Sequence, residues 1–297
     1  MVDSIINCAD PGAADVVIIG APYDKTSSYG KGAERGPEAI VQCLHRQIEF
    51  YERVSGLTPV EKLKIAYQAP AGLQELSPPV MVETLQELYE SFGGKLRIIL
   101  GGEHSVSNAA WRSFAARAGR ITIVQIDAHA DLREDDTDYS DHPSGKLAHC
   151  SVMRRAYELG YNLVQVGVRA YGAAERELFN RERVRVFEWG LKEPRVEQIL
   201  AAIATEQVYL TIDVDGIDPA FMPATGTPVP GGLSWYYTME LIKNLCVGKV
   251  LVGADIVEVA PRLEDRRTEY GAAQLCYTLI GCWLLKASLS ERRGRRP

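Results

Sequence analysis

The chain has 297 residues, 46% of them hydrophobic and 24% charged, which excludes a wholly disordered polypeptide. Thirty-nine acidic against 33 basic residues leave a net charge of −6, and an acidic surface does not select a phosphate backbone. No apolar run approaches the ~20 residues needed to span a bilayer, and Met1–Asp10 lacks a basic flank, so neither a membrane protein nor a signal peptide is expected.

In chain order, short apolar runs predict strands at Val17–Gly20, Lys64–Tyr67, Leu96–Leu100, Ile121–Ile126, Leu163–Val168, Val184–Phe187, Val208–Ile212 and Val250–Ile256. Several are apolar throughout, as strands covered on both faces must be. Between them, helices are predicted at Pro37–Tyr51, Val80–Ser91, Ser105–Ala118, Ala173–Phe179, Arg195–Thr205 and Tyr237–Leu245. Strand–helix alternation implies parallel strands with crossover helices, in either an open doubly wound sheet or an eight-fold barrel. No linker or repeat divides the chain, so one domain over residues 1–297 is expected. The six cysteines, at 8, 43, 150, 246, 276 and 282, form no Cys-x-x-Cys pair and read as reduced thiols of a cytoplasmic protein. Residues Glu291–Pro297 read as a solvated basic end.

Three predicted strands run into clusters of potential ligands: Gly101-Gly102-Glu103-His104-Ser105, Asp127-Ala128-His129-Ala130-Asp131 and Asp213-Val214-Asp215-Gly216-Ile217-Asp218. In an extended segment residues i, i+2 and i+4 project to one side, so Asp127, His129 and Asp131 can converge while the alanines face away. Asp213 and Asp215 repeat the spacing, and Gly101-Gly102 lets the backbone turn close beside the site and bring in His104. Carboxylates aimed at one point repel one another unless a cation lies between them. Two imidazoles and four carboxylates without a thiol are too many for one tetrahedral zinc and too hard for a soft metal. Shared over two divalent ions, they balance the charge of both. Two ions ~3.5–4 Å apart can activate a common water. Manganese suits this donor set best; nickel, cobalt and iron remain open.

These motifs, with Gly20-Ala21-Pro22-Tyr23-Asp24, Gly32-Ala33-Glu34-Arg35-Gly36-Pro37, Ala224-Thr225-Gly226-Thr227-Pro228 and Gly253-Ala254-Asp255-Ile256-Val257-Glu258-Val259, resemble the ureohydrolases, the arginase and agmatinase family of binuclear manganese enzymes. The resemblance covers nearly the whole chain. It implies a three-layer α/β/α fold with an eight-stranded, mostly parallel open sheet. It implies His104, Asp127, His129, Asp131, Asp213 and Asp215 as ligands of two Mn2+, Glu258 as the carboxylate that holds the substrate guanidinium, and His149 as a proton-handling group. Thr227 would shape the pocket wall, and Asp131 would carry a proton from the nucleophile to the leaving amine. A homo-oligomer, a trimer or hexamer, is also implied.

His149-Cys150-Ser151-Val152-Met153-Arg154-Arg155 and Gly167-Val168-Arg169 look more like agmatinases than arginases, and the acidic stretch Glu134–Asp141 suits a cationic substrate. The expected reaction is agmatine to putrescine and urea. The alternatives are an arginase, another guanidino-acid or guanidine ureohydrolase, a catalytically silent metal-binding relative acting as a regulatory subunit, or a single-zinc deacetylase-like enzyme. The last lacks its tandem histidines here. His45 and His142 receive no role.

Overall fold

The computed structural model describes residues 3–138, 143–190 and 192–294. All eight predicted strands form: β1 (Val16–Ala21), β2 (Ile65–Gln68), β3 (Leu96–Gly101), β4 (Ile121–Ile126), β5 (Asn162–Val168), β6 (Val184–Glu188), β7 (Gln207–Asp213) and β8 (Val250–Val257). They make one open sheet in the order β2-β1-β3-β8-β7-β4-β5-β6, and every pairing is parallel rather than mostly so. The barrel is thereby excluded.

Helices cover both faces because the strands are apolar on both. Val16, Ile18, Ile98, Leu100, Val124 and Ile126 pack on one side with α1 (Gly36–Arg46), α6 (Val196–Ala202), α7 (Trp235–Gly248) and α8 (Arg267–Gly294). Val17, Ile19, Ile99, Ile121 and Ile123 face α2 (Pro78–Ser91), α3 (Ser107–Ser113) and α4 (Val152–Glu158) on the other. Alternation along each strand assigns neighbouring residues to opposite layers.

The helices depart from expectation in extent. The predicted Ser105–Ala118 helix is α-helical only over α3, since the chain leaves helical geometry at Phe114 and again at Arg117. The predicted Ala173–Phe179 helix shortens to α5 (Ala173–Arg176), and α1 stops five residues before Tyr51. Helix α7 begins two residues earlier than predicted, where Ser234 Oγ accepts the Tyr237 N–H as a cap.

Two helices, α4 and α8, were not anticipated. By length and composition, 267–291 within α8 is apolar enough to cross a membrane, contrary to the expectation that no apolar run approaches that length. Of its most apolar window 61% is buried inside the protein against α1 and α7, as in a core helix. The basic tail is helical as far as Gly294; the rest of it lies outside the described residues.

Candidate metal and guanidinium site

The four central strands, β3, β8, β7 and β4, are adjacent, and each carries functional candidates at its carboxyl end. Ligand crevices in open parallel sheets lie at such ends. After β3, Gly102 passes so close to Tyr23 that a Cβ would lie 1.9 Å from the Tyr23 carbonyl oxygen. That contact permits the turn that brings in His104, as the two glycines predict.

After β4 the chain leaves extended geometry, yet Asp127, His129 and Asp131 converge while Ala128 and Ala130 are fully buried. Asp131 achieves this with φ 51°, in the left-handed region, rather than by strand alternation alone. Asp213 is the last residue of β7, but Asp215 lies in a 3₁₀ turn whose amide donates to Asp213 Oδ1 at 2.9 Å. A turn thus replaces the extended spacing expected there, and its effect is to separate the two carboxylates.

Two groups of ligand atoms result, His104–Asp127–Asp213 and Asp127–His129–Asp215, with every atom of a group within 4.8 Å of the others. Asp127 belongs to both. His104 Nδ1 is buried, has no hydrogen-bond partner, and lies 3.0 Å from Asp131, 3.3 Å from Asp127 and 3.6 Å from Asp213. Its other nitrogen meets Thr211 Oγ1 at 2.8 Å, and that hydroxyl donates to the buried Asp255. The imidazole is therefore oriented from behind, as metal-ligating histidines are. On the other side, His129 Nδ1 is 3.0 Å from Asp215, whose Oδ2 also accepts the Thr227 hydroxyl at 3.0 Å.

The electrostatics are those of carboxylates and imidazoles crowded at one point. Burial and the charges of Asp215 and Asp127 hold Asp213 well above the ordinary carboxylate range. Burial and Asp127 push Asp131 up to about 6. Burial would likewise raise Asp127, but His104 and His129 overcome it and hold it low. Burial lowers both imidazoles and the carboxylates around them more than offset that, leaving each well above its usual value. Two dications would displace those protons and relieve the repulsion. The orphaned His104 nitrogen and the hard donor set fit that occupancy.

Glu258 follows β8 with φ 64° and accepts the His104 amide at 2.8 Å. It is only 4% exposed and is not among the residues lining the pocket; its neighbour His149, 3.7 Å away, is. Burial lowers His149, but Glu258 prevails and raises it to about 9.

The pocket, of about 380 Å3, is lined by His129, Asp131, His149, Asp213 and Thr227 together with Ser28, Arg133, Cys150, Ala170, Tyr171 and Glu175. Five of the predicted residues therefore line the pocket, while His104, Asp127, Asp215 and Glu258 are buried in contact with them or with one another. Sequence reasoning missed Glu175, whose only signal was its position in the first turn of a short helix. It also missed Glu103, which burial raises to about 7 close to His149 and Glu258.

Of the described part of the acidic stretch, Glu134, Asp135 and Asp136 do not line the pocket. Glu134 pairs with Lys146 and Arg154, Asp135 accepts from Thr137, and buried Asp136 accepts the amides of Ser144 and Gly145. These carboxylates organise their own loop. Residues 139–142 of it, His142 included, lie outside the described residues. Arg133 does face the pocket, paired with Asp138 at 2.9 Å and near Glu175 at 3.8 Å. His45 bonds Ser4 Oγ at 2.7 Å, far from this site in the chain's first helix.

A family model described as the arginase family matches residues 14–281. The chain is 35% identical over 292 residues to an N(1)-aminopropylagmatine ureohydrolase of Synechocystis sp., covering 95% of this chain and 92% of that one. It is 32% identical over 277 residues to an agmatinase of Pyrococcus horikoshii, with 90% and 92% covered. The crystal structure of an agmatine ureohydrolase of Thermoplasma volcanium has a TM-score of 0.83 at 28% identity, covering 97% of each chain.

Proposed function

The chain belongs to the arginase family and is a ureohydrolase; from that premise we propose that it hydrolyses a cationic guanidino amine, agmatine first, to putrescine and urea. The observation that carries the reading is the joining of two ligand groups through Asp127, with Glu258 and His149 beside them. In this proposal His104, Asp127, His129, Asp131, Asp213 and Asp215 hold two divalent ions. Manganese suits their oxygen-rich, imidazole-containing set best, ahead of nickel, cobalt and iron. Two such ions, when bound, supply a water of lowered pKa and polarise the scissile centre.

Glu258 receives the guanidinium, a planar cation that a carboxylate binds through two parallel N–H bonds. The arrival of that second cation opposes the attraction that keeps His149 protonated. Substrate binding thus lowers the His149 pKa and readies the imidazolium to release its proton. Asp131, beside His104 and lining the pocket, can take a proton from the attacking water and return it to the leaving nitrogen. Holding the guanidinium against the site makes the attack effectively intramolecular. Thr227 orients Asp215 and closes one pocket wall.

At the mouth, Arg133 faces both Asp138 and Glu175, a balance that favours a substrate ending in an ammonium over one ending in a carboxylate. A longer amine, N(1)-aminopropylagmatine, is the second reading, supported by the 35% identical relative. We also propose that residues 1–297 form one catalytic domain, that copies associate as a homo-oligomer, and that the protein works in the cytoplasm. One sheet carrying every ligand and six cysteines without a disulfide support the domain and the compartment.

Urea release by the manganese-loaded protein, compared across agmatine, N(1)-aminopropylagmatine, arginine and guanidinobutyrate, tests this reading. The highest kcat/KM is expected for one of the two amines. A preference for either acid contradicts the substrate, and no urea from any of them contradicts the chemistry.

A further inference from the structure

Arg169 carries a charge that the proposed chemistry does not use, and it spends every donor on main chain. Its Nη1 donates to the carbonyls of Gly167 at 3.0 Å and Gly216 at 3.3 Å. Its Nη2 donates to Asp215 at 2.7 Å and Val229 at 2.6 Å, and its Nε to Val229 at 3.3 Å and Pro230 at 3.2 Å. These carbonyls come from three separate segments: the end of β5, the turn after β7, and the loop that carries Thr227. Irregular segments leave carbonyls without ladder partners, and a guanidinium is the side chain whose five planar donors can serve them together.

The packing around it is close. At Gly232 a Cβ would lie 2.7 Å from Arg169 Nη2 and 2.6 Å from the Asp218 amide nitrogen. At Gly216 and Gly167 it would lie 2.5 Å and 2.8 Å from the Asp127 main chain. The segments bearing Asp127 and Asp215 thus meet backbone to backbone beside the guanidinium. Asp215 is fixed at both ends, its carbonyl by Arg169 and its carboxylate by Thr227.

We propose that Arg169 is a positioning residue that ties the Asp215 main chain to the Val229–Pro230 loop, so that the Asp127–His129–Asp215 ion group and the Thr227 wall are set as one unit. This rests on the ligand assignment proposed above. None of its hydrogen bonds reaches the main chain of His104 or Asp213, so its influence falls first on the Asp127–His129–Asp215 group and reaches the other only through the shared Asp127 and the Asp215 amide bonded to Asp213 Oδ1. Replacing a guanidinium by an ammonium leaves fewer donors without the planar fork, so lysine substitutes only in part.

Calorimetric titration of Mn2+ into the full-length protein, with spin-coupling read by electron paramagnetic resonance, tests the inference on wild type, Arg169→Met and Arg169→Lys. Wild type is expected to bind two coupled ions. Arg169→Met should bind one ion about 10- to 100-fold more weakly, the usual effect of removing an outer-shell partner, and the other with a clearly smaller loss. Its coupled signal should give way to that of an isolated ion, with Arg169→Lys intermediate. Two ions of unchanged affinity in Arg169→Met overturn the inference. So does equal loss of both ions in both variants, which marks a merely structural role. Fewer than two ions in wild type overturns the ligand assignment itself, and this inference with it.

Discussion

Asp131 and Glu258 are held at φ 51° and 64°, where a side chain costs about 1–2 kcal/mol relative to ordinary backbone. Among the described non-glycine residues only Asn180 and Arg183 share that region, and neither lines the pocket. Strain confined to over-determined positions is characteristic of functional sites, and here it turns two carboxylates towards the ligand groups. Glu258 also sets the titration of His149, raising it from the usual 6.5 to about 9. A pKa raised on folding stabilises the folded state below the unfolded value and ceases to do so as pH rises through the folded one. His149 should therefore contribute its full stabilisation below about pH 6.5 and lose it between there and about pH 9. Thermal melts of metal-free wild type and His149→Gln across this range check the prediction. The gap between their melting temperatures should narrow as pH rises, and a gap that widens contradicts the pairing with Glu258.

At the scale of elements, the decisive arrangement is four adjacent strands whose carboxyl ends all carry site residues. Their junctions depend on backbone contact as much as on side chains. Gly102→Ala would drive a methyl group into the Tyr23 carbonyl, a clash with main chain that no rotamer can relieve. It should destabilise by at least about 1–3 kcal/mol, the ordinary cost of overpacking, and shift the denaturation midpoint accordingly. An unchanged midpoint contradicts the contact. Most strands were legible because burial on both faces makes them largely apolar, as in β1 and β4, and the ligands because they cluster where those strands stop. Helix α8 was not, for a related reason: Ala272, Leu275, Cys276, Leu279, Ile280 and Cys282 are all fully buried, and its first turn holds a buried Thr268. A helix enclosed on most sides has no polar stripe to reveal its period. The acidic stretch misled because charge composition does not say whether a carboxylate meets solvent, substrate or a neighbouring amide. Asp136, capping Ser144 and Gly145, does the last. Arg169 was noticed only as part of a family motif, since a side chain bonded wholly to carbonyls leaves no partner visible in sequence.

At the scale of the molecule, a −6 charge includes four aspartates packed at one end of a sheet, at most 7% exposed, with two imidazoles among them. The fold pays for that concentration with the rest of its apolar core and recovers it when cations bind, so folding and ion binding are linked. The carboxylates around His104 and His129 raise both imidazoles, so protons compete with the cations for these ligands and affinity should fall as pH falls. What distinguishes the account from a structural metal site is that both ions serve one reaction. The most direct measurement is urea release from agmatine and from N(1)-aminopropylagmatine as Mn2+ is titrated into ion-free protein at fixed pH. Activity with the better of these amines should rise to a plateau at two ions per chain. Full activity at one ion, or no urea at two, would contradict it.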